Sequence, residues 1–307
     1  MNLCSVSVVI PCFNPDSLLI GAVSSVLSQG DNIAEVILVN DQSTDGDSLR
    51  FLSEACALSE RVRIIEQNPR AGAAAARNLG VRHAKSALVA FLDADDKWLP
   101  SKLEKQLAVI SQQAESLGNR WYSTSNVICR RGGMDTVANQ LSTTEAHSDS
   151  FKVSEFLLAQ DGCLQTSSII APRELLLECP FDSSLRRHQD WDLLIRMQVA
   201  GARLVYIEEP LSVYNLGTDR KRISLSPNAL ANTLYWFRKI RSIVPDELLQ
   251  IYFFNHLINR TTARKAHGLL CAIFFVISLK PVNGVVLFVQ CLFKAIMKLR
   301  SGQRRSG

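Results

Sequence analysis

The chain has 307 residues, 47% of them hydrophobic and 21% charged, the balance of a globular protein rather than a disordered or fibrous one. Its formal net charge is only +5, and Lys280, Lys294, Lys298, Arg300, Arg304 and Arg305 lie near the end, so the basic excess is a weak argument for nucleic acid and a better one for an anionic membrane surface. Eight cysteines are scattered without a CxxC pair, which argues against the usual zinc spacings and fits buried thiols in a reducing compartment.

The first residues lack the basic region of a secretory signal, and their apolar run is broken at Pro11 and Asn14, so the catalytic part is expected in the cytoplasm. Val6 to Ile10 is a continuous β-branched run, the pattern of a strand covered on both faces. Pro11-Cys12-Phe13-Asn14-Pro15 ends it. A helix follows from about Asp16 to Gln29, with Leu19, Ala22, Val23, Val26 and Leu27 at helical spacing and Gly30 as its stop. Val36 to Val39 and Arg61 to Glu66 read as the second and third strands, and the alanine-rich stretch Ala73 to Ala84 as a helix. Leu88 to Leu92 is a fourth strand, and Pro100 opens a helix with Leu103, Leu107 and Ile110 on one face.

Tyr122 to Cys129 reads as a strand, and Gly132 to Ser150 as a polar, loop-rich stretch. Helical signals return at Val153 to Leu158 and Trp191 to Ala200, and strand signals at Ser167 to Ala171 and Leu204 to Ile207. Strands alternating with helices predict an α/β fold around a mostly parallel sheet. The tail differs. Leu269 to Leu279 and Val285 to Ile296 are apolar, separated by Pro281 and Gly284, and each is shorter than the roughly 20 residues of a spanning helix. An interfacial hairpin, one or two spans, and a packed helical subdomain all fit this pattern.

Polar clusters follow three strands, at Asn14, at Asn40-Asp41 and at Asp93 to Asp96. In open α/β sheets ligands bind beyond the carboxyl ends of strands, so the clusters and the expected crevice coincide. Asp93, Asp95 and Asp96 crowd like charges after a buried strand, an arrangement that needs a proton or a cation. A divalent metal holding a phosphorylated substrate would neutralise it. Asp41 suits hydrogen bonding to a base or ribose, or equally a turn or helix cap. Arg77 suits a phosphate, the carboxylate cluster or an exposed helix face. The start of the chain has no GxGxxG and no segment reads GxxxxGK, which argues against nicotinamide chemistry and P-loop hydrolysis.

Taken in order, Val6 to Asn14, Val39 to Asp45, Gly72 to Gly80, Phe91 to Asp96 and His188 to Arg196 resemble the motifs of inverting family 2 glycosyltransferases with the GT-A fold, of the bacterial surface-polysaccharide type. The resemblance spans about residues 4 to 215. It implies a glycosyltransferase domain over 1–220, with a donor-binding half to about 118 and an acceptor half over 119–220. Residues 221–307 then form a helical extension, with 269–297 interfacial.

The resemblance also assigns roles. Asp41 resembles the aspartate that binds uracil or another base, with Pro11 and Phe13 lining the same end of the pocket. Arg77 resembles the basic residue near the nucleotide, and Asp93 the acidic residue near the ribose and donor sugar. Asp95 and Asp96 resemble the carboxylates of a Mn²⁺ or Mg²⁺ site, and Asp95 also faces the donor. Asp190 resembles the catalytic base, although the usual Glu-Asp pair is here Gln189-Asp190. Gln165, Thr166 and Trp191 resemble acceptor-cleft residues, as do Arg220 and Arg222, which with Tyr214, Lys221 and Ser224 also resemble a loop that closes over the diphosphate.

The implied substrates are a nucleotide sugar, UDP-linked, and a lipid-diphosphate-linked saccharide. The implied place is the cytoplasmic face of the inner membrane, peripheral or monotopic. A homo-oligomer fits the apolar tail as well as lipid does. Two other readings are a sugar-phosphate nucleotidyltransferase, against which Pro11 to Pro15 lacks the glycine-rich basic loop, and a non-catalytic saccharide- or membrane-binding protein.

Overall fold

The computed structural model describes residues 5–138, 141–217 and 228–253. In chain order they form β1 (Val6–Cys12), α1 (Leu18–Leu27), β2 (Ile33–Asn40), α2 (Gly46–Cys56), β3 (Val62–Glu66), α3 (Ala73–His83), β4 (Leu88–Phe91), β5 (Lys97–Trp98) and α4 (Lys102–Leu117). The second half adds β6 (Trp121–Arg131), β7 (Met134–Val137), α5 (Thr143–Ala146), α6 (Val153–Ala159), β8 (Ile170–Pro172), α7 (Arg173–Glu178), α8 (Gln189–Val199), β9 (Arg203–Asn215), α9 (Ala229–Ile240) and α10 (Asp246–Phe253).

The strands make one sheet in the order β3-β2-β1-β4-β8-β6-β9-β5, with β7 paired to β6. β3, β2, β1 and β4 are parallel, because helices supply the long crossovers that parallel neighbours need. Past β4 the sheet is mixed: β8 runs antiparallel to both β4 and β6, while β6 and β9 are parallel. The mostly parallel sheet expected from the sequence is parallel in its first four strands, and the later ones pair in both senses.

Alternation along the strands sorts the core into two layers. Val9, Ile37, Val39, Val89 and Phe91 face one side, with α3, α6, α7, α8, α9 and α10 packed over them. Val8, Ile10, Val36, Leu38, Leu88 and Ala90 face the other, covered by α1, α2 and α4. Helix α3 lies unusually close to β1: a Cβ on Gly80 would stand 2.3 Å from Cγ1 of Val9. The run of alanines in α3 serves the same close approach.

Three segments differ from the sequence expectation. The polar stretch after Arg131 holds β7 and the short α5, whose Ser142 and Glu145 form a reciprocal capping box. Residues 166–168 are a 3-10 turn, and the strand begins only at Ile170. β9 continues past Ile207 to Asn215, because a bulge at Glu208–Glu209 opposite Asn126 absorbs the polar interruption. Asn126 fixes the bulge, donating to the Glu208 carbonyl at 2.8 Å and accepting from the Tyr206 hydroxyl at 2.6 Å.

Among the described residues no helix is long and apolar enough to cross a membrane. The apolar runs within 269–297, and Arg220, Lys221, Arg222 and Ser224, lie outside the described residues.

Candidate functional site

The carboxyl ends of β1, β2, β3 and β4 open on one edge, and the site is built there. At the end of β2, Asp41 is buried and does not cap the helix that follows it; Asp45 caps α2 instead, accepting from the Ser48 amide at 2.8 Å. Asp41 faces the start of α3, where its Oδ1 accepts from the Ala71 amide at 2.8 Å and its Oδ2 from the Gly72 amide at 2.9 Å. Gln67 donates to Oδ1 at 2.5 Å. Gly72 adopts φ +89° there, a left-handed conformation that glycine takes without strain.

Phe13 stands beside this carboxylate at the end of β1, with 42% of its surface exposed. Pro11 is half-buried within the same strand. The Arg70 guanidinium lies over the Phe13 ring, 3.4 Å from its centroid, and its Nε is 3.9 Å from Oδ2 of Asp41.

Arg77 occupies the middle of the site. It is buried on α3, donates to Oδ1 of Asp93 at 2.5 Å and to Oε1 of Gln189 at 2.8 Å, and rests 5.3 Å from the Phe181 ring centroid. Its Nε is buried without a hydrogen-bond partner. Gln189 also donates to the Leu185 carbonyl at 2.6 Å, so it joins Arg77 to the entry of α8.

The acidic cluster divides. Asp96 is wholly buried: Oδ2 accepts from Gln165 at 2.7 Å and from Ser167 at 2.6 Å, and Oδ1 from the Asn215 amide at 2.9 Å. Burial, and then Asp93 and Asp95, push its carboxyl well above the usual carboxylate range, against the pull of Ser167 and Asn215. Asp93 and Asp95 are half-buried. The Asp93 amide donates to Ser167 Oγ at 3.0 Å, and the Asp95 carbonyl accepts from Asn215 Nδ2 at 2.5 Å.

The turn over 166–168 is held from behind. Trp98 Nε1 donates to the Ser167 carbonyl at 2.8 Å, and Gln106 Nε2 to the Ser168 carbonyl at 3.1 Å. Gln106 itself accepts from the buried ammonium of Lys102, whose pKa burial lowers well below its ordinary value. Gln165 thus reaches Asp96, while the neighbouring Thr166 hydroxyl reaches Oδ2 of Asp190 at 3.4 Å.

Asp190 sits half-buried in the first turn of α8, where the helix dipole favours a negative charge. Its Oδ1 accepts from the Trp191 amide at 2.9 Å. Burial raises its pKa above the ordinary carboxylate value; the Trp191 amide and the Arg77 charge pull it down, and Asp93 pushes it up. The preceding His188 has φ +61° and stacks on Trp236, with ring centroids 4.4 Å apart. Trp191 packs into the same aromatic group, 5.7 Å from Tyr252, and remains half-buried. Asp192 ties α8 to α9, accepting from Arg196 at 2.7 Å and from Trp236 Nε1 at 3.1 Å.

The geometry brings Asp93, Arg77 and Asp190 together, with Asp41 and Phe13 at one end. It commits the Gln165 carboxamide to Asp96. Sequence reading did not single out Gln67, Arg70 or Asn215. The first two lie beyond the end of β3, where the rule of strand ends applies as it does to Asp41.

The glycosyl transferase family 2 profile matches residues 7–153. The amylovoran biosynthesis glycosyltransferase AmsB of Erwinia amylovora is 33% identical over 218 residues, covering 70% of each chain. The chain is a family 2 glycosyltransferase. The enzyme is also 31% identical over 105 residues, 34% of its own length, to WfgD of Escherichia coli, a UDP-Glc:alpha-D-GlcNAc-diphosphoundecaprenol beta-1,3-glucosyltransferase of which the match covers 40%. Its GT-A fold is that of S. aureus TarS 1–349 in complex with UDP-GlcNAc: TM-score 0.64 at 15% identity, covering 90% of this chain and 82% of the other.

Proposed function

We propose that this glycosyltransferase moves a sugar from a UDP-sugar to a hydroxyl of a lipid-diphosphate-linked saccharide, with inversion, in surface-polysaccharide assembly at the cytoplasmic face of the inner membrane. The relatives support the setting: AmsB by its name serves amylovoran biosynthesis, and WfgD takes UDP-Glc to a diphosphoundecaprenol-linked sugar. The observation that carries the chemistry is the position of Asp190, on the first turn of α8 beside the Arg77–Asp93 pair, with a carboxyl whose proton affinity burial has raised.

In this reading the donor's base lies at Asp41 and Phe13, and its diphosphate and sugar lie at Asp93 and Asp95 with Arg77 behind them. An ionised carboxylate only accepts hydrogen bonds, so Asp41 selects a base edge that offers an N–H, as the imide of uracil does. Asp190 takes the proton from the acceptor hydroxyl as its oxygen bonds to the anomeric carbon. The bond from that carbon to the diphosphate breaks, and the electron pair leaves with UDP. One displacement inverts the centre, so an α-linked donor gives a β-linkage. Gln165 contributes by holding Asp96, and Thr166 by steadying Asp190. Trp191, Arg220 and Arg222 complete the acceptor side of the proposal.

A divalent cation fits the donor set. Among the described residues no group of three or more His, Cys, Asp or Glu forms a cage of its own. Magnesium is commonly held by one or two carboxylates together with substrate phosphates, which half-buried Asp95, next to Asp93, suits. Asp96 fits less well, since its oxygens already accept three hydrogen bonds. Mg²⁺ or Mn²⁺ at Asp95 would offset the charge on the departing diphosphate.

The test is a screen of nucleotide sugars against lipid-diphosphate-sugar acceptors, with Mg²⁺ or Mn²⁺ and detection by mass spectrometry. A β-linked product from a UDP-sugar supports the proposal; transfer from no UDP-sugar overturns it.

A further inference from the structure

We propose that Arg70 is a base-binding residue of the donor site, whose guanidinium and the Phe13 ring form the two faces of a slot for the nucleobase. The inference rests on the reading of Asp41 as the base-binding carboxylate.

The guanidinium lies 3.4 Å from the Phe13 ring centroid, the separation of two flat groups in stacking contact. The ring beneath it keeps 42% of its surface exposed even with the guanidinium over it, so the edge of the stack is open to solvent. Arg70 therefore occupies the space that a base stacked on Phe13 would fill.

The two ends of Arg70 are held differently. Its amide donates to Oε1 of Gln42 at 3.1 Å, and Gln42 donates in turn to Asn68 at 2.8 Å. The next two amides donate to Asp41. The backbone is thus anchored on both sides, whereas the guanidinium keeps 54% of its side chain exposed and stands 3.9 Å from Asp41, beyond hydrogen-bonding distance. A long arginine side chain on a fixed backbone has room to rise by the thickness of one ring. A base entering over Phe13 then lies between an aromatic face and a planar cation, which arginine provides and lysine does not.

The edge of the same slot is also furnished. A carboxylate offers about four acceptor positions. Asp41 has three filled by Gln67, Ala71 and Gly72, and its Oδ2 faces Arg70. The remaining position suits one N–H in the plane of the stacked base. Face and edge together explain why Phe13, Asp41 and Arg70, from three separate strand ends, converge on one small volume.

The experiment titrates uridine, UMP and UDP, with ADP and GDP alongside, into wild type, Arg70→Ala and Arg70→Lys by calorimetry. Thermal melting establishes that the variants are folded. Stacking on the base predicts that both substitutions weaken UMP and UDP by the same factor, about tenfold, with lysine no better than alanine. Losses that grow from uridine to UDP and are restored by lysine would make Arg70 a phosphate contact and overturn the inference while leaving the donor reading intact. Unchanged affinities in both variants overturn it equally. A wild-type chain that binds no nucleotide overturns the donor reading, and the inference with it.

Discussion

The carboxamide of Gln165 donates to the buried carboxylate of Asp96 at 2.7 Å, across 69 residues of chain. With Ser167 and Asn215 on the same carboxylate, this contact makes Asp96 a joint between the β4 loop, the 166–168 turn and the end of β9. It separates neighbouring aspartates by environment: Asp96 is buried in the framework, whereas Asp93 and Asp95 stay half-buried.

That division predicts opposite behaviour for two adjacent substitutions. Asp96→Ala strands the buried donors of Gln165 and Ser167 and is expected to destabilise the fold by about 2–4 kcal/mol. Asp95→Asn, at a half-buried position, is expected to keep the melting temperature and lose cation-dependent turnover. Chemical denaturation and metal-titrated rates measure both; equal stability of the two variants would argue against the division.

The proposed role of Asp190 as base sets an expected pH dependence. A base works when ionised, and burial raises its pKa, so the acid limb of kcat/KM should lie above the ordinary carboxylate value of about 4. Gln189→Glu places a carboxylate on Arg77 beside Asp190, drawing on the positive charge that lowers the Asp190 pKa. The limb should then move to higher pH. A rate profile that is flat through the acid range in wild type, or unmoved in Q189E, speaks against this electrostatic coupling.

Packing gives a third expectation. The Cβ of Gly80→Ala would meet Cγ1 of Val9 at 2.3 Å and Cγ2 at 2.8 Å. Overpacking of this kind costs about 1–3 kcal/mol. Val9→Ala in the same chain should recover part of the loss, a coupling that a double-mutant cycle reads directly. Simple additivity of the two changes would show that α3 and β1 do not press on each other there.

The basic, apolar tail leads to a membrane prediction. The full chain should bind anionic liposomes more tightly than a chain cut before Gly268, with the difference shrinking at high salt. Equal partitioning of the two chains would detach the tail from any role at the bilayer.

What was legible in the sequence depended on local pattern. β1, β2 and β4 are continuous apolar runs, and their polar ends announced Asn14, Asp41 and Asp93. Three features depended on contacts far apart in the chain. The strand pattern of β9 stops at Ile207 because Glu208 and Glu209 break its alternation, and only the bulge opposite Asn126 carries it on to Asn215. Asp96 looked identical to Asp95, and only Gln165 and Asn215 distinguish them. Two cysteines that seemed scattered are neighbours: the Cys163 thiol is pushed well above its ordinary pKa, first by its hydrogen bond with Cys129 and then by burial.

The central claim is that Asp190 removes the acceptor proton. The most direct measurement is single-turnover transfer by Asp190→Asn alongside wild type, with UDP binding measured on the same preparations. Proton removal by Asp190 predicts a rate lower by about 10² to 10⁴ with UDP affinity retained. An unchanged rate in D190N would contradict it.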